Sequence, residues 1–342
     1  MTEGVKNRIT YIDLAKGIGI IMVVWAHANG PYRNYIYQMH MPFFFLISGY
    51  LYNSRSEPGE FIRKRCLSLY VPFVFWNVLF YTAKSLLHHI KLKSILIYDL
   101  KILLTLEKDG QFFGASWFLA SLFLVECVYK LLDHCMKEMK YRDLVLLFLF
   151  SLLSVTGFLH TFKYMFSRTL ILSMFYAAGV SIRRHKDLLS EYDHWVTAAA
   201  AGLLFLFIGR SGSANMGANQ YSSPVLFVIG SFAASYALMY LCRKADRFLA
   251  GTMLKLKGMI IYLGRNSKDI LIWQFVSFRI VILIQMILNH ETISMKNLLS
   301  YYPMYSAGNG WWIAYLAVGL LVPVFFCNVL RKSEIIRKLH IL

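Results

Sequence analysis

Apolar residues along the chain gather into long runs divided by short polar breaks, and the runs recur at lengths near the roughly 20 residues a helix needs to cross a bilayer. Ten of them are read, at about 9–28, 36–53, 66–88, 112–133, 143–162, 168–183, 194–210, 224–242, 269–289 and 311–330. The sixth and seventh are short, as expected of tilted or partly interfacial helices. Between the eighth and ninth, the apolar stretch 258–264 ends at Gly264-Arg265-Asn266-Ser267 and reads as half-buried or re-entrant. The 342 residues are consumed by these runs and their loops, so residues 1–342 are expected to form one all-α bundle of about ten transmembrane helices. No internal repeat or low-complexity segment interrupts the pattern, and Gly209–Ser213 reads as an outside loop.

Composition agrees with the pattern. Hydrophobic residues make up 58% of the chain and charged residues 16%, whereas soluble domains carry about a quarter charged residues. The net charge of +18 raises nucleic-acid binding as a function. The basic residues, however, sit in short clusters between apolar runs rather than in an aromatic-interleaved module, so no nucleic-acid partner is expected. They read instead as orientation signals. With the N-terminus inside, the inner segments hold 21 Lys and Arg and the outer loops nine, which predicts cytoplasmic N- and C-termini. Lys6, Arg8 and Ala26-His27-Ala28 mimic a secretory signal, but Asp13 and Lys16 interrupt the run, and it reads as an uncleaved first span. Cys66, Cys127, Cys135, Cys242 and Cys327 lack paired spacing and read as packing residues.

Ionisable groups inside apolar spans are costly and mark candidate function. In the first span Lys16 lies about 60° and His27 about 40° around the helix from Asp13, with His27 about 21 Å further along. The three share one face, and Gly17 and Gly19 leave room for a neighbouring backbone. Asp13 and Lys16 fit an i,i+3 ion pair at the cytoplasmic interface or the lining of a polar channel. His27 fits structural hydrogen bonding or catalysis. The second span opens Gln38-Met39-His40-Met41-Pro42, and the short link from the first puts His27 and His40 at one outer level. Two imidazoles there suit proton transfer near neutral pH, or half of a metal site. Without clustered carboxylates or further ligands, no metal is expected. Pro42 fits a first-turn proline, and Ser48-Gly49 a close-packing pair.

Beyond the second span, Phe61-Ile62-Arg63-Lys64-Arg65 fits an inner charge anchor or a clamp for a polyanionic donor, because arginine grips phosphate bidentately. Glu126 and Arg279 lie near mid-span and need partners, either substrate or bundle. Trp117, Trp273, Trp311 and Trp312 fit an interfacial belt or packing.

Taken together, RITYIDLAKGIGIIMVVWAHANG, YQMHMPFFFLISGYLYN and FIRKRCLSLYVPFVFW resemble the start of the acyltransferase-3 family of membrane O-acyltransferases, nearest its fucose 4-O-acetylase-like branch. GASWFLASLFL, YLGRNSKDILIWQF and GWWIAYLAVGLLVPVFF extend the likeness over nearly the whole chain. The resemblance implies transfer of an acetyl group from cytoplasmic acetyl-coenzyme A, with no permanently bound cofactor. The acceptor would be a hydroxyl of a surface or exopolysaccharide, or of its lipid-linked precursor, in the bacterial cytoplasmic membrane. It implies His27 and His40 as catalytic residues, and Arg63, Arg65 and Lys16 as donor-binding ones. Asp13, Ser48, Trp117, Glu126, Asn266, Ser267 and Arg279 would support them. Many members carry a histidine where this chain has Gln274, which cannot titrate. Two readings from other classes compete: a transporter or flippase for a glycan precursor or small solute, and a non-catalytic membrane sensor. The repeats expected of transporters are missing, and acetyl-coenzyme A binding would separate transporter from transferase.

Overall fold

The computed structural model describes residues 9–334 apart from 109, 212–213, 249–252 and 302. Lys6, Arg8, Arg337 and Lys338, counted as inner charges above, lie outside the described residues. The chain folds almost wholly into helices: α1 (Thr10–His27), α2 (Arg33–Tyr50), α3 (Pro58–Arg65), a π-helical turn (Cys66–Tyr70), α4 (Val71–Leu87), α5 (Leu92–Leu104), α6 (Gly110–Phe113), α7 (Trp117–Cys135), α8 (Arg142–Leu159) and α9 (Phe166–Arg184). There follow α10 (Lys186–Leu189), α11 (Trp195–Ser211), α12 (Pro224–Phe248), α13 (Met253–Arg265), α14 (Ser267–Leu288), α15 (Met295–Ser300) and α16 (Trp311–Leu330). A small antiparallel hairpin, β1 (Ala214–Asn215) with β2 (Gln220–Tyr221), joins α11 to α12.

The molecule is apolar on both its inside and its flanks, as an all-α membrane bundle must be. Phe43, Phe45, Phe73, Phe175, Tyr176, Phe278 and Tyr315 are fully buried in the core. Large apolar side chains also cover outward faces, including Phe148 and Leu152 on α8, Leu203 and Phe207 on α11, and Leu321 and Phe325 on α16. Water would penalise such a surface, and hydrocarbon does not. By length and apolarity alone five helices qualify to cross a bilayer, or six if the pair Lys186–Tyr192 and Trp195–Arg210, bent by 83°, counts as one. A helix occupies each of the ten segments read from sequence. Several that fall short of the test, such as α7 with Glu126, Lys130 and Asp133, turn their charges into the bundle.

Two backbone-to-backbone crossings set the centre. On α2, a Cβ at Gly49 would overlap the Tyr176 carbonyl of α9, and on α9 one at Gly179 would overlap the Leu46 carbonyl of α2. Gly17 of α1 faces the Ile260 carbonyl of α13, and Gly264 of α13 faces the Asp13 carbonyl in return. Small residues permit this approach, which dispersion and weak carbonyl contacts then reward. The stretch 258–264 is therefore part of α13, a helix seated on α1.

Two local expectations change. Pro42 lies well inside α2, which starts at Arg33 rather than at the proline. A proline has no N–H to offer the carbonyl four residues back, and the Ser231 hydroxyl of α12 donates to that Gln38 carbonyl at 2.6 Å. Beside Pro72 the turn is π-helical, with the Val71 N–H bonded to the Cys66 carbonyl, and the Ser68 carbonyl accepts from Lys268 Nζ of α14 at 3.4 Å. Finally, α11 continues through Ser211, so Gly209–Ser213 is helical over its described part.

Candidate functional site

His27 ends α1 and His40 lies in α2, with ring centroids 6.4 Å apart and planes at 87°. Both line a cavity of about 410 Å³, with Asn29, Arg33, Tyr37, Trp117 and Asn215 among its walls; it is called the outer cavity after the side to which the sequence assigns the histidines. The turn between the helices is fixed from within: Trp25 Nε1 donates to the Pro31 carbonyl at 2.9 Å, and the Tyr37 hydroxyl donates to the Ala26 carbonyl at 3.1 Å.

Hydrogen bonds decide which ring nitrogen of each histidine is free. The Gln274 amide is fully buried, and its Nε2 donates to the Leu271 carbonyl at 3.1 Å. Its Oε1 can only accept, and it lies 2.9 Å from His27 Nδ1. His27 therefore carries its proton on Nδ1, leaving a lone pair on Nε2. His40 Nδ1 lies 2.7 Å from the Ile36 carbonyl, which also only accepts. Neutral His40 likewise has Nε2 as an acceptor.

The roof of the cavity is assembled from loops held by distant charges. Arg168 donates to the carbonyls of Met216 and Gly217, fixing the tip of the β1–β2 hairpin. Arg279 is only 7% exposed and does not reach the cavity. It donates to the carbonyls of Leu298, at 2.8 Å, and Tyr301, and so anchors the loop that brings Pro303 and Met304 to the cavity wall. Glu291 accepts from Tyr301 and Tyr305 in the same loop, at 2.9 and 2.8 Å. That bonding raises both phenols above their ordinary range.

Below lies a second cavity of about 190 Å³, lined by Lys16, Ser48, Arg65, Glu126, Ser267 and Lys268 among others. Met41 belongs to both cavities. Arg65 Nε sits 3.0 Å from Glu126 Oε2, and the Glu126 side chain is only 1% exposed. Three cations against one carboxylate suit a phosphate-rich ligand. The π-helical turn directly after Arg65 is the kind of break often found at functional sites.

The sequence candidates thus separate. His27, His40 and Trp117 meet in the outer cavity; Lys16, Ser48, Arg65, Glu126 and Ser267 meet in the inner one. Arg63 is exposed and lines neither. Residues two apart on a helix point about 200° apart, a signal available from the sequence. Asp13 pairs with Arg265 of α13, at 3.0 Å. Asn266 precedes α14 and donates through Nδ2 to the Tyr262 carbonyl at 2.8 Å. Sequence reasoning missed Lys268, two residues past Asn266 in a stretch already singled out, and the outer-wall residues Asn29, Arg33 and Asn215. No group of three or more metal-ligating side chains is assembled among the described residues.

The buried ion pair gives a stability prediction. Arg65→Met strands the Glu126 carboxylate and is expected to cost on the order of 3 kcal/mol. Adding Glu126→Gln should restore most of it, read as thermal unfolding in detergent.

Comparison with known proteins adds three findings. The acyltransferase-3 family model, described as an acyltransferase domain, matches residues 9–328. The chain is 27% identical over 311 residues to nodulation protein NolL of Sinorhizobium fredii, covering 83% of this chain and 82% of that protein. It is 31% identical over 139 residues to nodulation protein NolL of Mesorhizobium japonicum, where the match spans about a third of either protein (35% of each). No solved structure matches.

Proposed function

We propose the following reaction for this chain, which belongs to the acyltransferase-3 family and is a membrane O-acyltransferase: an acetyl group passes from cytoplasmic acetyl-coenzyme A to a sugar hydroxyl at the opposite membrane face. The observation that carries it is the pair of cavities meeting at Met41, one cationic and one bearing two histidines. The acceptor is a surface or exopolysaccharide or its lipid-linked precursor. The transporter and sensor readings find no support in either comparison. In this reading all ten helices cross the bacterial cytoplasmic membrane and both termini face the cytoplasm, in keeping with the 21-to-9 distribution of basic residues.

Lys16, Arg65 and Lys268 hold the phosphates of the donor in the inner cavity, and its acyl-bearing arm passes Met41 toward His27. Along α1, Lys16 and His27 are about 16 Å apart. His27 Nε2 takes the proton of the acceptor hydroxyl as that oxygen attacks the thioester carbonyl. The carbon–sulfur bond breaks, and the departing thiolate recovers the proton from His27. The same lone pair serves if His27 is itself acylated first; label retained on the protein after incubation with donor alone identifies that route. His40 has a different part. Its Nδ1–H is committed to Ile36, so the role proposed is to accept from a second sugar hydroxyl and orient the ring.

Gln274 is a positioning residue in this scheme, since it sets the His27 tautomer. Gln274→Leu is expected to lower kcat on the order of 10²-fold, with KM for donor unchanged; a fall in donor affinity instead would mean a merely structural role. The whole reading is tested by supplying acetyl-labelled coenzyme A to the protein in lipid nanodiscs with polysaccharide from a strain lacking it. Label should enter the polysaccharide as base-labile ester, and mass spectra of native material with and without the protein should differ by one acetyl. Unlabelled polysaccharide with intact donor would sink it.

A further inference from the structure

One face of α2 carries Arg33, Tyr37, His40 and Met41, spaced i, i+4, i+7 and i+8, and all four line the outer cavity. Arg33 therefore stands two helical turns outward of His40, about 10 Å along the axis. The walls include no Asp or Glu among the described residues, and none pairs with Arg33. Elsewhere in the same region the half-buried Arg168 and the buried Arg279 have structural work through loop carbonyls. Arg33 is exposed at the mouth and anchors nothing comparable.

Local folding preferences run against a cation at this position. Arg33 is the first residue of α2, where the helix dipole disfavours positive charge. No side chain caps that terminus, so its free N–H groups add to the positive potential. The outer side of a membrane protein is also where basic residues are least favoured. A cavity mouth with a guanidinium, an uncapped helix start and no carboxylate attracts anions and repels cations.

Resting on the acetyl-transfer reading, we propose that the acceptor is an anionic glycan: a carboxylate or phosphate on the sugar, or on its immediate neighbour, is held by Arg33 while the accepting hydroxyl lies between His27 and His40. The two-turn separation of about 10 Å, shortened by the reach of the Arg33 side chain, lets anion and hydroxyl lie on one sugar or on adjacent ones. Tyr37 and Trp117 offer ring faces for the sugar's apolar side.

The test compares three small acceptors with acetyl-coenzyme A in nanodiscs: a neutral hexoside, the matching uronic acid and the matching sugar phosphate. The anionic acceptors should show kcat/KM higher by about 10- to 100-fold, carried by KM, as one charge-assisted contact provides. Whichever of the two is better identifies carboxylate or phosphate. Arg33→Ala should bring the ratio of anionic to neutral close to one, Arg33→Lys should keep part of it, and Arg33→Glu should invert it. Equal use of neutral and anionic acceptors by the unaltered protein overturns the proposal, as does a preference that survives Arg33→Ala. Transfer to none of the three, with donor bound, overturns the acetyl-transfer reading itself.

Discussion

Replacing His27 with alanine is expected to lower acetyl transfer by about 10³-fold or more while leaving donor binding intact. A general base alone contributes roughly 10²- to 10⁴-fold, and its loss here also removes the group against which the acceptor hydroxyl is aligned. His27 lines the outer cavity and not the inner one, so the donor's phosphates should not register the change. The substitution also strands Gln274 Oε1, a buried acceptor, at about 1–3 kcal/mol. The double variant His27→Ala with Gln274→Leu should recover that stability and none of the activity. Full transfer by His27→Ala in membranes would remove His27 from the chemistry altogether.

The second large effect is structural. Gly179→Val places a branched side chain where α9 lies against the Leu46 carbonyl of α2. Backbone cannot yield as a flexible side chain would, so the helices must separate. The cluster they clamp would open with them: the Tyr176 ring lies 5.3 Å from that of Tyr129 and 6.4 Å from that of Tyr52. Overpacking of this kind costs about 3 kcal/mol or more. The expected result is loss of the monodisperse peak in detergent size-exclusion chromatography, with Gly179→Ala intermediate. A Gly179→Val protein of unchanged thermal stability would mean that the two helices are not held by this contact. Activity should fall earlier than folding in the alanine series, because α2 also carries His40.

The helices were legible because each is an apolar run long enough to declare itself, and the histidines because polar groups in such runs need a reason. What stayed hidden depends on contacts between distant parts of the chain. Arg265 is found by Asp13 only after α13 seats on α1 through Gly17 and Gly264. Lys268 meets the Ser68 carbonyl at the π-helical turn beside Pro72 only once α14 packs there. The proline was visible in the sequence, but the lysine that bonds the turn beside it comes from 200 positions away. Gln274 could be recognised as unable to titrate, yet its effect on His27 appears only when Leu271 fixes which way the amide points.

Met41 has a consequence of a different kind. In the proposed topology the two cavities face opposite sides of the membrane, and Met41 is a side chain that lines both. An unbranched thioether suits that position: it is greasy enough to block protons and supple enough to swing aside for a slender acyl arm. In that topology, sealing and catalytic passage are demands on the same few atoms.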